Sequence, residues 1–432
     1  MSTRRWWLIL MAALLVGTAC AGGDVGDDEE AEEEGDGGSI EVAAVWTGVE
    51  QKNFEAVLDA FSEESGVDTS YTSTGDDVAT FLGTKIEGGS PPDVAVIPQP
   101  GLVRDFAEKG DLHPLGDEAI ANVEENYEPI WKDLGTFDGE VSAVYFKAAN
   151  KSTWWYNTAV FEQAGVEPPE TWDEMLQTAK TVNASGVAWL SIGGGDAWPL
   201  TDLFENIYVQ TAGPEKYDQL AEHEIPWTDE SVIEALETMA ELLGEEANLA
   251  GGIDGILKTD FTTSVTQTFT DPPEAATVFE GDFTAGVITG ETGAQPGDYD
   301  FFLFPQVGGG EPAMVGGADA AVALTDDPDA QALLAFLATP EASEIWAEAG
   351  GFTSPNKNVD LSVYPDELTQ RSAEALVGAE TFRFDLSDLQ PAEFGATPGR
   401  GMWLRMQEFV KNPDDPEAAA KAMEQDASKA FK

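Results

Sequence analysis

Trp46, Trp154, Trp155, Trp198 and Trp403 fall in segments that read as loops or strand ends, and Glu50, Gln99 and Asp202 occupy segments of the same kind. Flat rings beside carboxylates and amides suit one chemistry in particular. A neutral sugar offers apolar C–H faces to an aromatic ring and hydroxyls to planar donors and acceptors, and a concave site with a few placed polar groups supplies both. Each residue alone has a plainer reading, because a single tryptophan commonly fills a core and a single aspartate commonly faces water.

Other chemistries find little support. The chain has two histidines, His113 and His223, and one cysteine, Cys20. Neither histidine has a second His or a Cys at ligand spacing, so a nitrogen or sulfur metal site, a Cys nucleophile and a Cys–His pair are not expected. "GGSPPD" and "SIGGGDAW" lack the Lys and Ser/Thr of a phosphate loop, and no GxSxG is present. Paired carboxylates are too common here to mark a glycosidase. No cofactor and no metal is expected.

The elements that must hold these residues alternate. "IEVAAVWTG" reads as a strand, and "NFEAVLDAFSEESG" places Phe54, Val57, Leu58 and Phe61 on one helical face before Gly66. "VDTSYTST" alternates as a strand, "DDVATFLGTKIEGG" has Asp and Gly where a capped helix wants them, and "DVAVIP" reads as a buried strand. Such alternation predicts a parallel sheet. Farther along, Thr171 and Glu174 have capping-box spacing before a helix near Trp172. A second helix is expected from about Asp229 to Leu243, and a helical pair broken at Pro340. Segments near 143–150, 299–310 and 350–358 are candidate crossings between two lobes, and crossings of this kind form a hinge.

The formal net charge is -60, from 81 acidic and 21 basic residues. A phosphate backbone would be repelled, so nucleic acid is not an expected partner. Residues 21–39 hold nine acids and no base, yet 72 acids still face 19 bases outside that segment and the two N-terminal arginines. That density suits either a surface working in concentrated salt, where repulsion is screened, or an acidic exported protein.

Arg4 and Arg5 precede an apolar run from Trp6 to Val16, eleven residues long and too short to cross a bilayer. It reads as a signal peptide. Gly17, Thr18 and Ala19 lead into Cys20, a pattern that resembles the lipobox of bacterial lipoproteins, though that pattern prefers Leu where Gly17 stands. Cys20 is then the lipidated residue. The run after it has almost nothing to bury and should remain an extended tether.

The segments "FEAVLDAFSEESGVDTSYTSTGDDVATFLGTKIEGGSPPDVAVIPQPGLV", "KAANKSTWWYNTAVFEQAGVEPPETWDEML", "DPPEAATVFEGDF", "GGADAAVA", "GFTSPNKN" and "FRFDLSDLQPAEFG" together resemble the family 1 extracellular solute-binding proteins of bacterial ABC importers, α-glucoside or oligosaccharide branch. The resemblance implies an α/β, two-lobed periplasmic-binding-protein fold (type II-like), each lobe a mainly parallel sheet flanked by helices, joined by a hinge. Residues 1–20 would be the signal, 21–39 the tether, 40–147 with 306–355 one lobe and 148–305 with 356–432 the other. It implies ligand contacts from Trp46, Glu50, Asp76, Asp77 and Gln99 on one side. On the other it implies Trp155, Tyr156, Trp198, Asp202 and Asp282, with Asp319, Arg383 and Asp385 completing the set. Departures are Ala148 to Asn150 and Gln390. Plainer roles exist for some: Asp76 as a helix cap, Arg383 as an ion-pair partner of Asp385 or Asp388, Tyr156 as a structural residue.

The implied activity is capture of a sugar outside the cytoplasmic membrane and delivery to the importer's permease, by a lipid-anchored monomer. Two other readings stay open at this stage. A secreted glycoside hydrolase would turn over a chromogenic glucoside, and a binder of the same fold for a polyamine or metal chelate would exploit the acidity.

Overall fold

β1 (Ser39–Ala44) shows how the first layer is built: Ile40, Val42 and Ala44 pack into one buried cluster and Ala43 into another, so alternate side chains fill opposite faces. The structure, a computed structural model, describes residues 38–431. The signal, Cys20 and nearly all of the tether lie outside the described residues.

β1 belongs to a first sheet with β2 (Asp68–Ser73), β3 (Val94–Ile97), β4 (Val144–Asn150), β9 (Met314–Ala323) and β10 (Phe382–Phe384). Its order is β10-β9-β3-β1-β2, with β4 also on β9. A second sheet runs β8-β5-β7-β6, from β5 (Thr153–Asn157), β6 (Ala188–Ser191), β7 (Ala275–Phe279) and β8 (Tyr299–Leu303).

Both sheets are of mixed orientation: the first has three parallel pairings against two antiparallel and the second one against two, so only the second departs from the mainly parallel expectation. β1 pairs in parallel with β2 and β3, and β9 with β10, but β9 runs antiparallel to both β3 and β4. In the second sheet β6 and β7 are parallel while β5 runs antiparallel to β7 and β8. The regular alternation near the N-terminus describes β1 to β3; the strands next to the crossings return in the opposite direction.

β4 ends at Asn150 and β5 starts at Thr153, so the chain passes from one sheet to the other within three residues. It passes back between β8 and β9, with Phe304 and Val307 still packed in the core of the second sheet. β10 joins the first sheet although it lies in 356–432, all of which was expected in the second lobe.

The helices follow local signals closely. α1 (Gly48–Ser65) buries Phe54, Val57, Leu58 and Phe61 and ends at Gly66, whose φ of 75° suits a residue without a Cβ. α2 (Val78–Glu87) is capped by Asp77. α3 (Trp172–Ala184) opens with the full Thr171/Glu174 capping box. α4 (Trp198–Ala212) is buried along nearly its whole length. α5 (Glu230–Leu243) takes Asp229 as its cap, and α6 (Phe261–Phe269) takes Asp260. α7 (Pro328–Leu337) and α8 (Pro340–Ala347) are the pair split at Pro340. After β10 come the single turn α9 (Leu386–Leu389), α10 (Gly401–Lys411) and α11 (Pro416–Ala430). Among the described residues no helix is long and apolar enough to cross a membrane.

Candidate functional site

Between the two sheets lies a cavity of about 500 Å³. The first sheet's side contributes the entry to α1 (Trp46 to Glu50), Asp76 before α2, Gln99 after β3, Lys147 on β4 and Gly317 to Asp319 on β9. The opposite wall contributes Asp196 and Trp198 at the start of α4, Asp260 and Phe261 at the start of α6, then Phe283, Glu291 and Trp403. Lys151, in the short crossing after β4, lines the wall together with Asp388. Strand ends and helix starts converge here because both sheets present such ends to the gap, as in other α/β clefts.

Lys147 organises the first wall. Its ammonium lies 2.7 Å from Glu50 Oε1 and sits over three rings, Trp346 at 4.9 Å, Phe283 at 5.3 Å and Trp46 at 5.4 Å. Burial pulls its pKa down, but Glu50 and Asp319 outweigh burial and the pKa ends raised, so the side chain stays charged. Burial in turn pushes Asp319 up to about 6, with Lys147 opposing and Glu50 adding to the rise. Trp46 is only 4% exposed and meets Phe54 and Trp346 edge-on at 4.8 and 4.7 Å. It therefore supports the wall more than it offers a free face.

Trp198 is the half-buried ring of the second wall, beside Phe261 at 5.3 Å and Phe283 at 6.1 Å, with Lys151 Nζ 5.8 Å from its centroid. The preceding Ala197 has φ 76° and ψ -42°, a conformation that L-residues rarely adopt and that costs about 1–3 kcal/mol. Packing of Ala197 and Trp403 beside Trp198 holds it there.

Two polar atoms in the lining have no partner among the described residues: Gln99 Oε1, an acceptor, and Trp403 Nε1, a donor. Both side chains are buried. Leaving such groups unpaired costs about 1–3 kcal/mol each, so a ligand with both donors and acceptors completes the site. At the rim, Asp76 from one lobe faces Asp196 and Asp260 from the other; enclosure by the two walls, then those two charges, push its carboxyl up to about 7. The side chain is nonetheless exposed at the rim, so water screens those charges and moderates the rise.

The family profile described as bacterial extracellular solute-binding protein matches residues 46–344. This chain belongs to that family. Among curated relatives of this solute-binding protein is the osmoprotective compounds-binding protein GgtB of Synechocystis sp. (strain ATCC 27184 / PCC 6803 / Kazusa), 36% identical over 87% of this chain and 89% of the relative. Another is the alpha-glucosides-binding periplasmic protein AglE of Rhizobium meliloti (strain 1021), 35% identical over 89% and 86%. Among solved structures, the bacterial solute receptor AcbH superposes with a TM-score of 0.81 at 18% identity, over 91% of this chain and all of that one. A chitin oligosaccharide binding protein superposes at 0.80 and 20%, over 92% and 100%. These share the two-lobed fold. The family is an extracytoplasmic one.

Of the expected contacts in this solute-binding protein, Trp46, Glu50, Asp76, Gln99, Trp198 and Asp319 meet in the cavity lining. The others are placed elsewhere. Asp77 caps α2 through Thr80 N. Trp155 is fully buried among Tyr299 and Phe301, and its Nε1 donates to Thr153 Oγ1 and Gly281 O. The Tyr156 ring turns to the opposite face of β5, onto Phe161, because neighbours on a strand point opposite ways. Asp282 is buried and accepts from Thr353 Oγ1 at 2.6 Å. Arg383 makes a bidentate pair with Asp218, at 2.6 and 2.9 Å, and pairs with neither Asp385 nor Asp388. Asp202 and Asp385 lie behind the wall, on Lys151.

Sequence reasoning did not single out Lys147, Lys151, Phe283 or Asp388. A lysine inside the apolar run "AVYFKAAN" was the available signal, since an ammonium placed among residues that bury themselves must bring its counter-charges with it.

Proposed function

We propose that this chain is the substrate-binding component of an ABC importer whose cargo is a small α-glucoside or oligosaccharide, held between the lobes and handed to the permease unaltered. The observation that carries the sugar reading is the half-buried Trp198 ring in a cavity that also presents the unpartnered Gln99 acceptor and Trp403 donor. A sugar matches all three with a C–H face, a hydroxyl proton and a hydroxyl lone pair. The cavity volume falls within the range of about 300–1,000 Å³ usual for small-molecule sites.

The mechanism is closure. A cargo that touches both lobes in the closed form and one in the open form shifts the population by that difference in contacts. A micromolar dissociation constant corresponds to about -8 kcal/mol, within reach of one stacked ring and several hydrogen bonds. The names of the relatives, one for alpha-glucosides and one for osmoprotective compounds, agree with a small glucoside. Lipidation at Cys20, a monomeric state and adaptation to high salt complete the reading.

A cationic cargo is the second reading, favoured by Asp76, Asp196 and Asp260 at the rim, where no Lys or Arg among the described residues pairs with them. A thermal-shift panel in concentrated salt decides between them: trehalose, sucrose, maltose and raffinose against spermidine. A cargo at a hundredfold its dissociation constant stabilises by about 2.7 kcal/mol. A shift with spermidine and none with any sugar overturns the sugar reading, and release of monosaccharide from a bound sugar would show an enzyme.

A further inference from the structure

Behind the cavity wall at Lys151, five buried carboxyl groups surround one ammonium. Asp202 and Glu205 come from α4, Glu280 follows β7, and Asp385 and Asp388 cap and enter α9. Lys151 Nζ lies 2.5 Å from Asp385 Oδ2, 3.3 Å from Asp202 Oδ2 and 3.4 Å from Asp388 Oδ2. Five ionised carboxylates cannot all persist beside a single cation away from water; some must take up protons.

Their partners show which. Asp385 accepts from Lys151, from Ser387 Oγ and from Asp388 N. Glu205 accepts from Leu386 N at 2.6 Å, Ser387 N at 3.0 Å and the Tyr217 hydroxyl at 3.2 Å. Asp385 is furnished for negative charge, whereas burial and the Asp385 charge hold Glu205 well above the usual carboxylate range despite its donors. Asp202 is not so furnished: apart from the ion-pair contact with Lys151, neither of its oxygens takes a hydrogen bond from an N–H or O–H among the described residues, and Glu280 Oε1 takes none either. One oxygen each of Asp202, Glu205 and Asp385 lie within 4.8 Å of one another, and the Glu280 and Asp385 carboxyls both feel Asp202 as a hydrogen-bond partner. Carboxyls in such contact share protons. One proton shared between Glu280 and Asp202, and one between Asp202 and Asp385, satisfy every orphaned oxygen and leave three carboxyls to carry charge beside Lys151, of which burial holds Glu205 and Asp388 well above the usual carboxylate range.

We infer that Asp202 is a positioning residue of the binding site: as a neutral carboxyl it bridges Glu280 and Asp385, and so holds the Lys151 ammonium in the cavity wall beside Trp198. There Lys151 and Asp388, loosely paired at 3.4 Å, offer a donor and an acceptor to neighbouring hydroxyls of the cargo. Gly317 leaves the space for it, since a Cβ at that position would come 2.9 Å from Lys151 Cε. The chain also joins the halves of the molecule, because α4 and β7 belong with the second sheet while Asp385 directly follows β10 of the first. The role rests on the sugar reading above.

The charged and titratable groups around Asp202 are Lys151 from the crossing, Glu205 on its own helix, Glu280 after β7, Asp385 and Asp388 at α9, Tyr217 beside Glu205, and Asp319 beyond Asp388. Burial pushes Glu280 up to about 8, so raising the pH through that range breaks the chain at its outer end.

The test uses the mature protein with whichever panel sugar binds the wild type. Asp202→Ala should weaken binding about tenfold or more, and Asp202→Asn, neutral and able to donate, should recover most of that loss. Wild-type affinity should fall as pH rises through about 8 while Asp202→Asn stays flatter. Difference infrared spectra, which need no sugar, should show a protonated-carboxyl C=O band in the wild type that loses the Asp202 contribution in Asp202→Asn. Absence of that band overturns the inference. So does a wild type that Na+ or Ca2+ stabilises and Asp202→Asn that neither does, because Asp202, Glu205 and Asp385 would then be holding a cation between oxygens that lie within 4.8 Å of one another. If no sugar binds the wild type, the sugar reading falls and the positioning role with it; if sugar binds equally to all three proteins, the positioning role falls alone.

Discussion

The Lys147 ammonium and the Glu50 carboxylate meet at 2.7 Å in the wall of the cleft, one from β4 and the other from the first turn of α1. Lys147 is 3% exposed, and three aromatic rings enclose its charge. Removing one partner of a buried pair leaves the other uncompensated, which costs about 3–5 kcal/mol. Lys147→Ala should therefore lower stability by about that amount in urea unfolding, and Lys147→Met with Glu50→Gln should cost less than Lys147→Ala alone.

Trp198 should contribute to affinity without contributing much to folding. Its ring is half-buried at the cavity, packed at its edge against the Phe261 and Phe283 cluster and against Ala197 and Trp403. Trp198→Ala should weaken sugar binding by about 1–2 kcal/mol, roughly tenfold, with an unchanged circular dichroism spectrum. Calorimetry that returned the wild-type affinity would remove the ring from the site.

Asp76 predicts a pH dependence whose sign follows from the direction of its shift. Burial, Asp196 and Asp260 raise its pKa from 3.8 to about 7. A carboxyl with a raised folded-state pKa contributes stability that is complete below its unfolded value and is lost as pH rises through the folded one. Stability of the closed form should decline between about pH 4 and pH 7, modestly because Asp76 still meets water. Asp76→Asn should flatten that part of a thermal-denaturation profile.

The net charge of -60 predicts a response to salt. The Debye length shortens from about 10 Å at 0.1 M to about 3 Å at 1 M, which relieves repulsion among unpaired surface carboxylates. The melting temperature should rise over that range in NaCl, and a melting temperature that fell would argue against the high-salt reading.

Capping offers a control on local structure. Thr171 accepts from Glu174 N while the Glu174 carboxylate accepts from Thr171 N. Thr171→Ala should cost about 1 kcal/mol of stability and leave sugar affinity unchanged, as read by urea unfolding and calorimetry.

Much of the secondary structure was legible because it is enforced over a few residues. Thr171 and Glu174 cap a helix three positions apart, Pro340 splits α7 from α8, and Ile40 and Val42 repeat with the period of a strand. Residue type alone picked out Trp46, Glu50, Gln99 and Trp198, and likeness to a family added the two-lobed fold and the lining residues Asp76 and Asp319. Strand direction was legible for β1 to β3 but not near the crossings, since β9 pairs with strands on both sides of them. Nor was the division of labour among like residues. Trp155 and Trp198 look equally available in the chain, but β5 buries one ring and the entry to α4 leaves the other half-open. Lys147 finds Glu50 across 97 positions and Lys151 finds Asp385 across 234. Local backbone preferences decay within a turn or two, whereas the charge state of a buried carboxyl depends on whatever the fold packs against it, and only the folded chain brings those partners together.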